Sequence, residues 1–243
     1  MYDNLSQVTR GFENRANQLV NGQTAWILVA KNSQHAAHQQ LLSGLDRIIH
    51  AMPVKEIEKF KIRLEHIIPP SAPKFIEAYD RRFTDAIVEI LGYGLLAKKY
   101  PSLTVEFCEP DLVVTDDKGS PVAAMACKKI NESDVNKDYW ERHQGEVRQL
   151  DNRLTCTDPS INPFLRKVKG TIANAKKQLS QREVSDKFIL IDFTLDLHAL
   201  VQKPEVRQLV QDEGDNLRKE GIRLIACENF KIDNPFVYTQ LSN

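Results

Sequence analysis

The chain has 243 residues, enough for one large α/β domain or for one domain with a helical annex. Its 33 basic and 33 acidic side chains cancel, so any basic surface for nucleic acid must be local. No apolar run approaches ~18 residues, which predicts no membrane span. The N-terminus lacks the basic and apolar regions of a signal peptide.

The cysteines predict the redox compartment. There are four, they lie far apart, and no C-x-x-C motif occurs: Cys108, Cys127, Cys156 and Cys227. This spacing is typical of reduced thiols in a cytoplasmic protein, and not of a disulfide or zinc framework.

The region up to about residue 72 is predicted to be mostly helical. Residues 24–30 are apolar and fit either a short strand or the first turns of a helix. Apolar residues at helical spacing predict helices over 35–52, over about 54–68 and over about 75–99. A proline follows each of these three helices closely and ends its pattern.

After Pro101 the apolar pattern changes to period two, which is typical of strands. We predict strands at 103–108, at 111–115 and at 121–130, the last two joined by a hairpin turn containing Gly119.

The remaining segments alternate between helix and strand. Helices are predicted around 139–154, over 163–181 and over 204–220, and strands over 187–193 and 223–227. From residue 75 the order is therefore helix, three strands, helix, strand, helix, strand. Strands separated by helices predict an α/β fold with a mixed central sheet and helices on its faces. We divide the chain into an N-terminal helical region, 1–72, and an α/β domain, 73–243.

The hairpin gathers the residues with the clearest chemical potential. If its strands pair symmetrically about Lys118-Gly119, Asp111 lies opposite Ala126. Side chains alternate along a strand, so Ala126 and Lys128 share a face. An acid, a methyl group and an ammonium would then form one small patch. A one-residue slip would reverse this arrangement.

These residues and the order of elements resemble the PD-(D/E)XK nuclease superfamily. Its signature is Pro-Asp at the start of the second core strand and acid-x-Lys on the third. Pro110-Asp111 matches the first half, and Ala126-Cys127-Lys128 matches the second except that the acid is missing. Glu89 is the candidate for the further acid that members often place on the first core helix. The resemblance covers about residues 75 to 193 and implies a restriction-endonuclease-like core.

The resemblance implies metal-assisted hydrolysis of phosphodiester bonds. Asp111, Glu89 and the residue at 126 would bind Mg²⁺ or Mn²⁺, which prefer oxygen ligands. Lys128 would orient the attacking water or offset developing charge. Gln178 resembles a glutamine that some members place near the active site.

Ala126 leaves several interpretations open. The chain could be a nuclease inactivated by a deliberate change, or a naturally degenerate member that acts as a binding or scaffold subunit. Alternatively Asp111 caps a turn, Lys128 protects an edge strand, and the resemblance is accidental. We expect a Mg²⁺-dependent nuclease acting on DNA more readily than on RNA, in a restriction or anti-phage defence setting. As written, the chain should be inactive or nearly so, and a protein partner or a homodimer could supply targeting.

A local excess of positive charge follows the hairpin. Residues 163–187 carry seven basic and two acidic side chains, a net +5 in a neutral chain. This segment could be a phosphate-binding helix, or simply a solvated helix face. The residues we expect to contact nucleic acid are Lys129, Arg166, Lys169, Lys176 and Lys177.

Overall fold

A computed structural model of the protein describes most of the chain. The described residues are 2–19, 26–67, 76–109, 111–130, 161–193, 201–228, 230 and 237–238. The chain divides into two compact units, Met1–Pro121 and Val122–Asn243. Helices and strands occur in both, so the predicted α/β class is confirmed.

Unit 1 consists of helices followed by a two-stranded antiparallel ribbon. Its elements are α1 (Asp3–Leu19), α2 (Trp26–Asn32), α3 (Ala36–Ala51), α4 (Val54–Ile67), α5 (Ile76–Lys99), β1 (Thr104–Phe107) and β2 (Leu112–Thr115).

The helices of unit 1 pack through aromatic and small residues. Phe12 of α1 stacks on Phe83 of α5, with ring centroids 4.5 Å apart. Gly94 of α5 faces Ile48 of α3 so closely that an added Cβ would lie 2.6 Å from Ile48 Cδ1. Because α3 and α4 pack against α5, and α4 also contacts β1, the helices and the ribbon belong to one packed unit.

The turn after β2 has a defined hydrogen-bond pattern. The Asp116 N–H donates to the Ser120 carbonyl (2.9 Å), and the Asp116 carboxylate accepts from the N–H groups of Lys118 and Ser120. Gly119 has φ +77°, which glycine adopts without strain. The turn is therefore symmetric about Lys118, and not about the Lys118-Gly119 pair on which the predicted register depends.

Unit 2 is a sheet with crossover helices. Its elements are β3 (Pro121–Ile130), α6 (Ile161–Ser180), β4 (Asp186–Phe193), α7 (Pro204–Lys219), β5 (Ile222–Glu228) and β6 (Val237–Tyr238). β4 pairs in parallel with both β3 and β5, while β6 pairs antiparallel with β5. The prediction of a mixed sheet is therefore confirmed. Parallel neighbours require crossovers, which α6 and α7 provide.

The structure resolves or extends some sequence-based expectations, and others fall on residues that it does not describe. Of the segment 24–30, for which a strand and a helix were both open, Trp26 to Ala30 belong to helix α2. Neither α1 nor β6 was predicted as a separate element. The helix predicted around 139–154 lies outside the described residues. The predicted boundary at 72/73 falls inside unit 1, in a segment that is also not described.

Two predictions concern the redox state of the cysteines and the absence of a membrane span. Among the described residues, Cys108, Cys127 and Cys227 form no disulfide, and Cys156 lies outside them. In the same part of the chain, no helix has the length and apolar character needed to cross a membrane.

Candidate functional site

The two faces of β3 carry different chemistry. Ala126 pairs with Ile189 and Lys128 with Ile191, whereas Lys129 pairs with Asp192. Paired residues of parallel strands project to the same face, and neighbours along a strand alternate. Lys128 and Lys129 therefore belong to opposite faces of the sheet.

Helix α6 covers the face of Ala126 and Lys128. The ring of Phe164 in α6 lies 6.2 Å from that of Phe193, which pairs with Ile130 two residues beyond Lys128. The helix turns an apolar stripe inward, and its members are buried: Phe164, Val168, Ile172, Ala175 and Leu179. The contact thus creates an apolar layer between helix and sheet.

Ala126 is part of this apolar layer. It is 0% exposed, and its neighbours on the same face, Ile189 and Leu224, are equally buried. Its methyl group fills space in a closely packed interior. Position 126 is therefore a packing position, and the residue present offers no ligand to a metal.

Gln178 of α6 and Lys128 of β3 lie near opposite edges of the parallel strands. Lys176 forms an ion pair with Glu220 (2.6 Å), just before β5 begins, so this end of the helix is at the amino edge of the parallel strands. Lys128 lies near the opposite, carboxyl edge, where Phe164 packs. From Phe164 to Gln178 the helix advances about 21 Å. The resemblance implied that Gln178 lies near the active site. Unit 2 instead keeps Gln178 away from Lys128.

Sequence reasoning missed a buried polar cluster on the other face of unit 2. The Lys129 ammonium donates to Asp192 Oδ2 (2.6 Å) and lies 3.7 Å from the centroid of the Phe230 ring. The Phe230 N–H donates to Asp192 Oδ1 (2.6 Å), and the Cys227 thiol lies 3.3 Å from the same oxygen. Phe230 has φ +63°, an uncommon conformation for a bulky residue.

Burial dominates the electrostatics of this cluster. The side chains of Lys129 and Asp192 are only 2% and 0% exposed. Burial raises the pKa of the Asp192 carboxyl, and the Lys129 ammonium opposes that shift. Burial also raises the pKa of the Cys227 thiol well above its usual range, which keeps it protonated and unreactive. Lys129 is therefore withdrawn from solvent, contrary to its expected contact with phosphate.

Unit 1 holds the two acids that were expected to bind metal. Asp111 precedes β2, is 7% exposed, and its carbonyl accepts the Cys108 N–H (3.1 Å). Pro110 lies outside the described residues. Glu89 of α5 forms an ion pair with Arg63 of α4, so its charge is already compensated by a guanidinium.

A second buried carboxylate, also missed, joins α4 to β1. Glu56 accepts the Phe107 N–H (2.8 Å) and pairs with Lys59 (2.8 Å), which also reaches Glu106 (3.2 Å). The contact satisfies a buried backbone donor of β1, which would be costly to leave unpaired. Burial, with the Glu56 charge as a second cause, raises the pKa of Tyr93 to about 12.

A sequence signal for one of these clusters exists. Asp192 interrupts the otherwise apolar run from Phe188 to Phe193. A charged residue within such a strand is almost never fully buried unless it is paired. That pattern predicts a buried partner for Asp192, although it does not identify Lys129.

The residues present do not fit the Mg²⁺ or Mn²⁺ that the resemblance implies. Ala126 supplies only a methyl group, and Glu89 is paired with Arg63. Within the described ranges, no group of three histidine, cysteine or acidic side chains could hold a metal ion.

Helix α6 carries exposed positive charge. Arg166, Lys169 and Lys177 are exposed, whereas Lys176 is held by Glu220. Surface cations of this kind suit contacts with phosphate groups.

Comparisons with known proteins add no family assignment. No family model, no curated protein and no solved structure matches the chain.

Proposed function

We propose that this chain is a naturally degenerate member of the PD-(D/E)XK nuclease superfamily that binds nucleic acid, DNA rather than RNA, without cleaving it. The observation that carries the proposal is the position of Ala126 within the apolar layer beneath α6. A carboxylate in that layer would have to be desolvated, which is costly. The alanine is thus suited to its surroundings.

Three further observations support this proposal. The order from α5 to β4 is the one expected of the superfamily core. The acid on α5 is engaged by Arg63. The exposed cations of α6 offer positive charge in a chain whose net charge is zero. A restriction or anti-phage setting, with a protein partner or second copy for targeting, is part of the proposal by analogy.

A second candidate is the metal-dependent nuclease inactivated at position 126. It is favoured by the retention of both Asp111 at the start of β2 and Lys128 near the end of β3. On this view, restoring a carboxylate would restore the site. Because the residues present do not fit a metal, this candidate applies only to a chain in which position 126 carries a carboxylate again.

The two candidates differ in how Ala126→Glu behaves. The purified wild type and this variant are mixed with plasmid and with single-stranded DNA in Mg²⁺ or Mn²⁺, and cleavage is followed on gels. Cys127→Glu is the matched control, since it places the same carboxylate one residue along, on the opposite face of β3.

We expect the wild type to bind DNA and neither variant to cleave it. Cleavage by Ala126→Glu that disappears when Lys128→Ala is added would establish the second candidate instead. Cleavage by Cys127→Glu would also overturn our proposal, because it would place a competent site on the other face. Failure of the wild type to bind any DNA would refute nucleic-acid binding itself.

A further inference from the structure

We infer that the outward face of α6 is the surface that binds the DNA backbone, through three phosphate contacts made by Arg166, Lys169 and Lys177. The inference rests on the proposed function and specifies its ligand contacts. The composition of the helix favours such a surface. Ile161–Ser180 contains five basic side chains and no acidic one.

The contacts in the structure select three of these five. Arg166, Lys169 and Lys177 are exposed, and none of their side chains forms an ion pair with another described residue. Lys176 is held by Glu220 at 2.6 Å. Lys167 is half-buried and has a contact of its own.

Helical geometry places the three cations on one face. At 3.6 residues per turn, Arg166, Lys169 and Lys177 fall within an arc of roughly 80°. The buried stripe of Phe164, Val168, Ile172, Ala175 and Leu179 occupies the opposite side of the helix. From Arg166 to Lys177 the basic row is about 16 Å long, since each residue advances the helix by about 1.5 Å.

The surface between the cations is low. Gly170, Ala173 and Asn174 are exposed on the same face. A Cβ added at Gly170 would meet nothing within 4 Å. Gly170, Ala173 and Asn174 have no long side chain that would keep a ligand at a distance. A phosphate backbone can therefore approach the helix closely, with the cations on either side of it.

The magnitude of the effect follows from counterion release. Each phosphate contact contributes about 0.9 to the log–log salt dependence of duplex binding, and about 0.7 for a single strand. Three contacts therefore contribute a slope of about −2.7 for duplex DNA and about −2.1 for a single strand. For a duplex this corresponds to about fortyfold weaker binding between 50 and 200 mM salt.

The test compares two triple variants that lose the same charge. The first carries Arg166→Gln, Lys169→Gln and Lys177→Gln. The control carries Lys203→Gln, Arg218→Gln and Lys219→Gln, which lie at the two ends of α7 in the same unit. Affinity for a labelled duplex and for a labelled single strand is measured by fluorescence anisotropy over a range of salt concentrations, and circular dichroism checks folding.

We expect the log–log salt dependence of binding by the α6 variant to be shallower than that of the wild type by about 2.7 for a duplex and about 2.1 for a single strand. The control variant should keep the wild-type salt dependence. If the wild type binds DNA and both variants keep its slope, the α6 surface is refuted while the proposed function stands. An equal loss in both variants would also refute it, because only net charge would then matter. If the wild type binds neither DNA, the inference and the proposed function fail together.

Gly170 provides a steric version of the same test. Gly170→Gln adds a long neutral side chain where the structure has open space, so the fold should tolerate it. We expect this variant to bind DNA more weakly than Gly170→Ala, which adds only a methyl group. Equal affinities would contradict the close approach of the backbone to the helix.

Discussion

Each unit contains a buried carboxylate that has the same two kinds of partner, a phenylalanine N–H and a lysine ammonium. Glu56 in unit 1 accepts the N–H of Phe107 and the ammonium of Lys59. Asp192 in unit 2 accepts the N–H of Phe230 and the ammonium of Lys129. The two acids are 2% and 0% exposed.

The difference lies in the lysines. Lys59 is about one-third exposed and also reaches Glu106, whereas the Lys129 side chain is 2% exposed and lies against an aromatic ring. Water can compensate Lys59 if its partner is removed, but it cannot reach Lys129. A buried acid beside a lysine therefore serves structure in both units, whereas the cations proposed to contact DNA are exposed on α6.

Removing the two carboxylates should have the largest and most unequal effects. We expect Asp192→Ala to lower the free energy of unfolding by about 3–5 kcal/mol, because it leaves a buried charge uncompensated. Glu56→Ala should cost about 2 kcal/mol, chiefly from the unsatisfied Phe107 N–H. Urea unfolding monitored by circular dichroism measures both.

A double variant sharpens this contrast. Asp192→Leu combined with Lys129→Met replaces the ion pair with apolar groups and should be much less destabilising than Asp192→Ala alone. If Asp192→Ala and Glu56→Ala cost the same, the proposed role of solvent at the lysine is wrong.

Position 126 provides a third case, in which a carboxylate is introduced at a fully buried apolar position. We expect Ala126→Glu to lower the free energy of unfolding by about 3 kcal/mol or more, because the fully buried position removes the charge from water. Ala173→Glu, on the exposed side of α6, should change it by less than about 0.5 kcal/mol. A stable Ala126→Glu protein would show that the layer accepts an acid, in favour of the nuclease candidate.

The smallest expected effect is on the titration of Tyr93, whose pKa depends on burial and on the charge of Glu56. Its pKa is raised from 10.0 to about 12, so it stays protonated in the folded protein while an unfolded tyrosine ionises. Its contribution to stability is therefore complete below about pH 10 and is lost as the pH rises towards 12. Ultraviolet titration of the wild type and of Tyr93→Phe should differ by one late-ionising tyrosine. A difference centred near pH 10 would contradict the influence of burial and of Glu56.

The helices and strands could largely be predicted because periodicity and proline are local signals. The helix before Pro53 and the strand 121–130 appear close to their predicted bounds. α1 was missed as a separate helix because its apolar positions are few among polar ones. Its inward face becomes clear only when α3 and α4 pack against it.

The candidate site was harder to predict because it depends on which face a residue occupies. Lys128 and Lys129 are adjacent and chemically identical, yet only the strand pairing shows that Lys129 meets Asp192. The turn is centred on Lys118 and not on the Lys118-Gly119 pair, which corresponds to a one-residue change of register. A one-residue change decides which face a strand residue occupies. The interpretation of Ala126 likewise depends on which face of the sheet α6 covers, and no local pattern shows that.

The most direct test of the account is the dependence of DNA binding on metal. The affinity of the wild type for a labelled duplex is measured in Mg²⁺ and in EDTA at matched ionic strength, and the DNA is then run on a gel. Our account predicts equal affinities and intact DNA, since the binding charges belong to α6 and no metal takes part. Binding that requires Mg²⁺, or cleavage products formed by the wild type, would contradict it.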